Sequence, residues 1–204
     1  MAKMGRPRAF DRDTAVSDAM HLFWEQGYDA TSLAQLKDSL GGGISAPSFY
    51  AAFGSKEALF RECVDLYLQT HGRVTDSLRD GSLPPRQAIE TALRRSAAMQ
   101  CEAGHPRGCM VALGTMGGSS PTTAAVAQPL LDSRAETRAG LRACVRRGVD
   151  GGELRADTDI AALATAFDSF LIGLSTLARD GAKVSRLHAA IAQVMQIWDA
   201  ARRP

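Results

Sequence analysis

The side chains able to do chemistry fall into a few groups along the chain. Cys101, His105 and Cys109 recur at intervals of four residues, and thiolate with imidazole is a good donor set for soft metals. Gly104, Pro106 and Gly108 lie between them and break the helix that would align them. Cysteine is also among the residue types most often simply buried. No metal is therefore expected, and metal or thiol sensing by Cys101, His105 and Cys109 stands as the alternative. Arg134, Arg138, Arg142, Arg146 and Arg147 form a basic stripe at helical spacing, expected to be a solvated face with Asp and Glu partners. Gly5-Arg6-Pro7-Arg8, preceded by Lys3, reads as an extended, proline-stiffened strip whose guanidinium groups suit a DNA minor groove. The chain has no Gly-x-Ser-x-Gly, no phosphate loop and no His-Glu-x-x-His. Its histidines, His21, His71, His105 and His188, have no obvious neighbouring partner in sequence. An enzyme is not expected, nor is a cofactor.

The frame that must position these groups is globular. In 204 residues, 45% are hydrophobic and 23% charged, the balance of an ordinary folded domain. No run approaches the roughly 18 apolar residues of a membrane span, and the charged N-terminus has no apolar stretch behind it. The expectation is a cytoplasmic chain without membrane contact, in which Cys63, Cys101, Cys109 and Cys144 are free thiols. A net charge of +2 is not the basic footprint of a nucleic-acid binder, so the distribution of charge must decide.

Strand alternation is nearly absent and helical periodicity recurs. Asp11 or Asp13 caps a helix with Val16, Ala19, Met20, Phe23 and Trp24 on one face, and Gly27 stops it. Thr31 caps a second, short helix with Leu33, Leu36 and Leu40. Gly41-Gly42-Gly43 makes a turn. Ser45 caps a third helix, with Pro47 in its first turn and Phe49 and Phe53 on its buried face. Gly54 ends it, and Ser55 caps a longer fourth helix bearing Leu59, Phe60, Cys63, Val64 and Tyr67. A break at residues 80–85 precedes helices over about 86–100, 109–115, a stretch to about 147 that starts or kinks at Pro129, 159–179 and 185–201. The chain is thus expected to be all-α, with about nine helices: an arm over 1–9, a three-helix unit over 10–56 and a helical domain over 57–204.

Residues 31–53 have the form of a helix-turn-helix, whose second helix can enter the major groove. Here the sequence resembles the TetR family of bacterial transcriptional regulators. The likeness rests on Phe10-Asp11, Gly27-Tyr28, Thr31-Ser32 and above all the run from Ser48 through Phe49, Tyr50, Phe53, Gly54, Ser55, Lys56, Glu57, Ala58 and Leu59 to Phe60. His105-Pro106-Arg107-Gly108-Cys109, and Gly152-Glu153-Leu154 followed by Asp157 and Asp159, look like one subgroup's ligand domain. The resemblance implies that Thr31 and Ser32 offer groups to a phosphate. It places Ser45, Ala46, Pro47 and Ser48 at the base-reading start of the recognition helix. Tyr50 would set its hydroxyl on a phosphate and its ring on a thymine methyl. Lys56 would pair with a phosphate at the start of the fourth helix. Arg6 and Arg8 complete the expected DNA contacts.

Two departures from the family pattern stand out. The glycine triplet lengthens the turn by about two residues, and Ala51 and Ala52 replace bulkier polar residues. Charge is the third point of tension. Residues 11–54 hold Arg12 and Lys37 against Asp11, Asp13, Asp18, Glu25, Asp29 and Asp38, a balance of −4. Cations must come from outside the segment, from Lys56 and the arm.

In the remainder, Met99, Met110, Leu113, Met116, Phe167 and Phe170 are expected to line an adaptable apolar ligand pocket. The last two helices are apolar over a wide arc, which calls for burial on both sides. Ile160, Leu163, Leu171, Leu174, Leu187, Ile191, Val194 and Trp198 are therefore expected to meet a second copy in a four-helix interface. The whole reads as a homodimeric regulator, a repressor that binds a palindromic double-stranded operator and is released by a small-molecule effector. A protein-only helical adaptor is the other class.

The charge balance generates a test. If the arm lies in or beside the groove, deleting residues 1–8 should weaken binding to every duplex and lower the slope of log affinity against log salt by roughly 0.9 per lost phosphate contact. A salt titration by fluorescence anisotropy measures this. An unchanged slope would place the missing cations elsewhere.

Overall fold

A computed structural model describes residues 11–114 and 121–203, with the side chains of 121–124 left aside. The arm residues Lys3, Arg6 and Arg8, and Met116, lie outside the described residues. Nine α-helices are present among those described: α1 (Arg12–Gln26), α2 (Leu33–Ser39), α3 (Ala46–Phe53), α4 (Lys56–Gln69), α5 (Pro85–Cys101), α6 (Met110–Leu113), α7 (Pro121–Asp150), α8 (Ile160–Arg179) and α9 (Val184–Ala200). Two 3-10 segments, Leu40–Gly42 and His71–Arg79, interrupt them.

Local chemistry sets most boundaries. The Asp11 carboxylate accepts from the Asp13 and Thr14 amides and opens α1. Ser45, Ser55 and Asp159 do the same for α3, α4 and α8. The cap of α2 is Ser32, not Thr31. Ser32 and Gln35 form a reciprocal capping box. Thr31 is buried and donates its hydroxyl to the Gly27 carbonyl at 2.7 Å, so its side chain serves the turn and faces no solvent. The segment His71–Arg79 was not foreseen. Thr70 turns out of helical geometry (φ −116°, ψ −88°) with its hydroxyl on the Leu66 carbonyl, and the chain tightens into 3-10 turns. Pro129 sits inside α7, which begins eight residues earlier.

Two apolar cores result. The first gathers α1–α4 around Phe23, Trp24, Leu36, Phe49, Leu59, Phe60 and Tyr67, and extends to Met99, Met110, Val126 and Leu130. Phe23 meets Phe60 edge-on at 5.0 Å and Trp24 meets Tyr67 at 4.8 Å, pairs worth about 0.5–1.5 kcal/mol each beyond their burial. The second core joins α5, α7, α8 and α9 around Ile89, Leu93, Leu141, Phe167, Leu174, Ile191 and Trp198. Arg86 on α5 holds Asp199 on α9 by two bonds of 2.8 and 2.9 Å, and also reaches Glu90.

The residues of the last two helices expected to meet a second copy divide by their burial within the chain. Leu163, Leu174, Leu187, Ile191 and Trp198 are buried within the chain. α5 and α7 cover one side of the apolar arc. Ile160, Leu171 and Val194 are half-buried at its margin, while Leu177 and Ile197 stand exposed. α8 is also, by length and mean hydropathy (1.7), apolar enough to cross a membrane, which the sequence reading did not recognise. Its alanines raise that value, and its large side chains Leu163, Phe167 and Leu174 face the second core. On α7, Arg147 donates to the Asp80 and Gly81 carbonyls, not to a carboxylate. Arg138, Arg142 and Arg146 line an alanine-floored groove against α8.

Gly148 marks the tightest contact between helices. A Cβ there would lie 2.7 and 2.8 Å from the Trp198 ring and 3.0 Å from Leu154. Overpacking of this kind costs about 1–3 kcal/mol. Gly148→Ala should therefore lower the denaturant midpoint by that amount without changing the slope of the transition. An unchanged midpoint would mean that the α7–α9 contact is looser than described.

Candidate nucleic-acid interface and internal cavity

The helix-turn-helix is built from two short helices joined by glycines. Gly41, Gly42 and Gly43 all have positive φ (58°, 81° and 104°). A Cβ on Gly42 or Gly43 would meet nothing within 4 Å. The lengthened turn therefore loops outward, and the chain rejoins the helix pair through the Ile44 amide on the Lys37 carbonyl at 2.9 Å. Leu36 and Leu40 on one side and Phe49 on the other keep the crossing buried.

On α3 the burial pattern fixes the outward face. Phe49 and Phe53 point into the core, and Tyr50 is 52% exposed. Ser45, Pro47 and Ser48 are exposed and Ala46 is half-buried. Ser45 Oγ accepts from the Ser48 amide and lies 2.8 Å from Ser48 Oγ, so part of the polar capacity of this edge is spent on the cap. Ser32 is exposed at the start of α2. Lys56, at the start of α4, lays its ammonium over the Tyr28 ring at 4.2 Å. Burial lowers its pKa, opposed by Asp29. Arg12 is tied to Glu62 at 2.8 Å and sits over Phe53. Its charge is thereby directed at α4.

A second group of residues joins this unit to the rest. Arg179, at the end of α8, donates to the Trp24 and Glu25 carbonyls at 3.0 Å each and to the Arg107 carbonyl at 2.7 Å. The Trp24 and Glu25 carbonyls belong to the last turn of α1, which no helical amide can reach. His105 stacks on Trp24 at 4.5 Å, and His71 meets the His105 ring at 4.7 Å. Three of the four histidines that have no partner in sequence, His21, His71 and His105, thus converge at the same seam, while His188 lies against the Arg94 carbonyl. Burial first, and the charge of His105 second, lower the pKa of both His21 and His71.

Cys101, His105 and Cys109 do not converge. Cys101 Sγ donates to the Ala182 carbonyl at 3.6 Å, His105 stacks on Trp24, and Cys109 Sγ accepts from the Tyr67 hydroxyl at 3.2 Å. No three potential ligands cluster for a metal among the described residues.

A cavity of about 60 Å³ lies among α4, the 3-10 segment after it, α5, α6, α7 and α8. Its wall includes Tyr67, Gln100, Cys109, Arg134, Asp168 and Ser175. Of the residues expected to line an apolar ligand pocket, those described do not line this cavity. Met99 and Met110 pack in the first core and Phe167 in the second. Phe170 packs on the second core, and Leu113 lines an outer groove beside Trp24 and Arg179. Of that set, Met116 alone falls outside the described residues. The sequence reading missed Gln100 and Ser175. The available signal was polarity in an apolar row: Ser96 and Gln100 follow Ala92 and Leu93 on the buried face of α5.

Comparison with known proteins fits this arrangement. Residues 16–63 match the family described as "Bacterial regulatory proteins, tetR family", and residues 86–194 match "Tetracyclin repressor-like, C-terminal domain". The chain is 31% identical over 198 residues to the HTH-type transcriptional repressor ComR of Escherichia coli, covering 95% of this chain and 91% of that protein. It is 41% identical over 108 residues to the repressor BdcR of the same organism, about half of each chain. A cysteine mutant of the TetR family regulator CifR, solved with 26 bp double-strand operator DNA, superposes with a TM-score of 0.82 at 43% identity, over 95% of this chain and 100% of that one. The chain belongs to the TetR family of bacterial transcriptional regulators.

Proposed function

We propose that the chain is a cytoplasmic homodimeric repressor, not an enzyme, that lays α3 of each protomer in the major groove of one half of a palindromic operator and lets go when a small molecule binds the C-terminal helices. The observation that carries this reading is α3 itself, with Phe49 and Phe53 anchored inside and Tyr50 presented outside. The relatives support it: ComR and BdcR are repressors, and CifR was solved on operator DNA. Pro47, Ser48 and Tyr50 form the base-facing edge, Ser32 and Lys56 flank it toward the phosphates, and Arg6 and Arg8 would add minor-groove contacts. Thr31 is dropped from this set because its hydroxyl is internal. Effector binding would shift the population toward a spacing of the two α3 helices that no longer fits half-sites one helical turn apart. Arg179 and the α4 helix are the two links through which the shift would travel.

The dimer would form on α8 and α9. Leu177 and Ile197 are 48% and 44% exposed and lie toward opposite ends of this antiparallel pair.

Selection from a library of random duplexes tests the reading, and it should return a two-fold symmetric site. Against that duplex, Tyr50→Ala should weaken binding by about 1–3 kcal/mol, the range for a base-reading contact, with thermal stability unchanged. Wild-type affinity in anisotropy would remove Tyr50 from the interface.

Leu177→Glu should leave the protomer folded, because the position is open in a single chain. It should cost the dimer several kcal/mol by burying an unpaired carboxylate. Sedimentation should show monomers that bind the duplex weakly. A variant that remains dimeric would place the interface elsewhere.

A further inference from the structure

We infer that the cavity among α4, α5, α6, α7 and α8 is the effector site, and that it takes a small uncharged molecule bearing a hydroxyl or primary amide. This rests on the repressor reading and adds the chemistry of the ligand.

The wall holds two polar side chains that are each 1% exposed and short of a partner. Gln100 Oε1 and Ser175 Oγ are both buried without a hydrogen bond. Gln100 spends the other end of its amide on Ser96 Oγ at 2.8 Å. Were the amide set the other way, its nitrogen would be the unmet end. Either way one end of the amide and one hydroxyl remain to be satisfied, and buried polar groups are nearly always paired in folded proteins. A hydroxyl or amide both donates and accepts, so such a group suits Gln100 or Ser175 whichever end of each is unmet.

Charge narrows the class. Asp168 and Arg134 stand in the same wall. Burial raises the Asp168 pKa, while Arg138 and Arg134 oppose the rise. The two opposite charges leave this wall with no net charge to draw an ion, and the two groups short of a partner, Gln100 and Ser175, are themselves neutral. A neutral molecule leaves that balance alone.

Size narrows it further. A water needs about 10–15 Å³ of such space, so a cavity of about 60 Å³ accommodates roughly four or five non-hydrogen atoms. Ser175 also lies one turn before Arg179 on α8. A ligand held by Ser175 therefore acts on the helix that grips the end of α1.

The test uses the full-length, ¹⁵N-labelled dimer and two neutral probes, acetamide and 1,2-propanediol. Acetate and ethylammonium serve as charged probes of like size, and xenon as the apolar one. The Gln100 side-chain amide resonances are followed during each titration. Affinity for the selected duplex is read in parallel by anisotropy. At least one neutral probe should shift the Gln100 resonances saturably, with ten-fold or greater preference over the charged probes and xenon, and should weaken duplex binding. Gln100→Leu and Ser175→Ala should each bind the duplex as the wild type does and bind that probe at least ten-fold more weakly. Ser175→Ala removes a single atom, so it separates ligand loss from misfolding. The inference is overturned if neither neutral probe gives a saturable shift, which would mean a water-filled cavity. It is equally overturned if acetate, ethylammonium or xenon binds as well as the neutral probes, or if both variants bind like the wild type. Failure of the wild type to bind any selected duplex would instead sink the repressor reading, and the Gln100 titration would still decide whether the cavity takes a neutral ligand.

Discussion

The last-turn carbonyls of α1 are satisfied from the far end of the chain. A helix end leaves about four carbonyls without intrahelical partners, and a cation at that end also meets the negative pole of the helix. Arg179 supplies the guanidinium, reaching Trp24 and Glu25 across more than 150 positions of sequence. The same side chain fixes the loop after α5 through the Arg107 carbonyl, and Arg107 in turn donates to Ala178 and Ala182. The seam is thus a closed circuit of two arginines and backbone oxygens, with Trp24, His71 and His105 packed beside it. A hydrocarbon interface can slide by small steps. Directed bonds to three carbonyls are kept or lost together, which suits a joint between two states.

The two apolar cores explain why the cavity lies where it does. The first runs from the helix-turn-helix into Met99, Met110 and Leu130, and the second begins at Leu78 and Ile89. Between them, Tyr67, Gln100, Cys109 and Ser175 bring polar atoms into a region that neither core fills. Tyr67 reports the same boundary. Its ring lies edge-on to Trp24 in the first core, while its buried hydroxyl, pushed well above the usual phenol range by desolvation, turns to Cys109 at the cavity wall.

Much of the fold was legible because its signals are local. Asp11, Ser45, Ser55 and Asp159 each cap the helix they precede, and a cap needs only the next two or three amides. The confusion of Thr31 with Ser32 has the same origin. Both are good cap residues, and Gln35, three beyond Ser32, is what decides between them. The recognition helix was legible because Phe49, Tyr50 and Phe53 state an inside and an outside over a single turn. The outer faces of α8 and α9 and the cavity wall were not legible in this way. An apolar arc on α8 announces burial without saying what covers it, and α5 and α7 proved to cover Leu174 and Ile191. The wall depends on groups that lack partners, a property of the assembled chain that no spacing encodes. A methionine or phenylalanine at helical period fits a core and a pocket equally well, and here Met99, Met110 and Phe167 went to the cores.

The glycine turn between α2 and α3 has a consequence for how such proteins diversify. The angle between the two helices is held by Leu36, Leu40, Ile44 and Phe49, which flank the turn, while a Cβ on Gly42 or Gly43 would face open space. Loop closure charges only about 0.6 kcal/mol for each doubling of length. An insertion or deletion in this outward loop would therefore leave the residues that hold the reading head in place. A sequence comparison that penalises gaps uniformly would overstate the distance between relatives that differ only there.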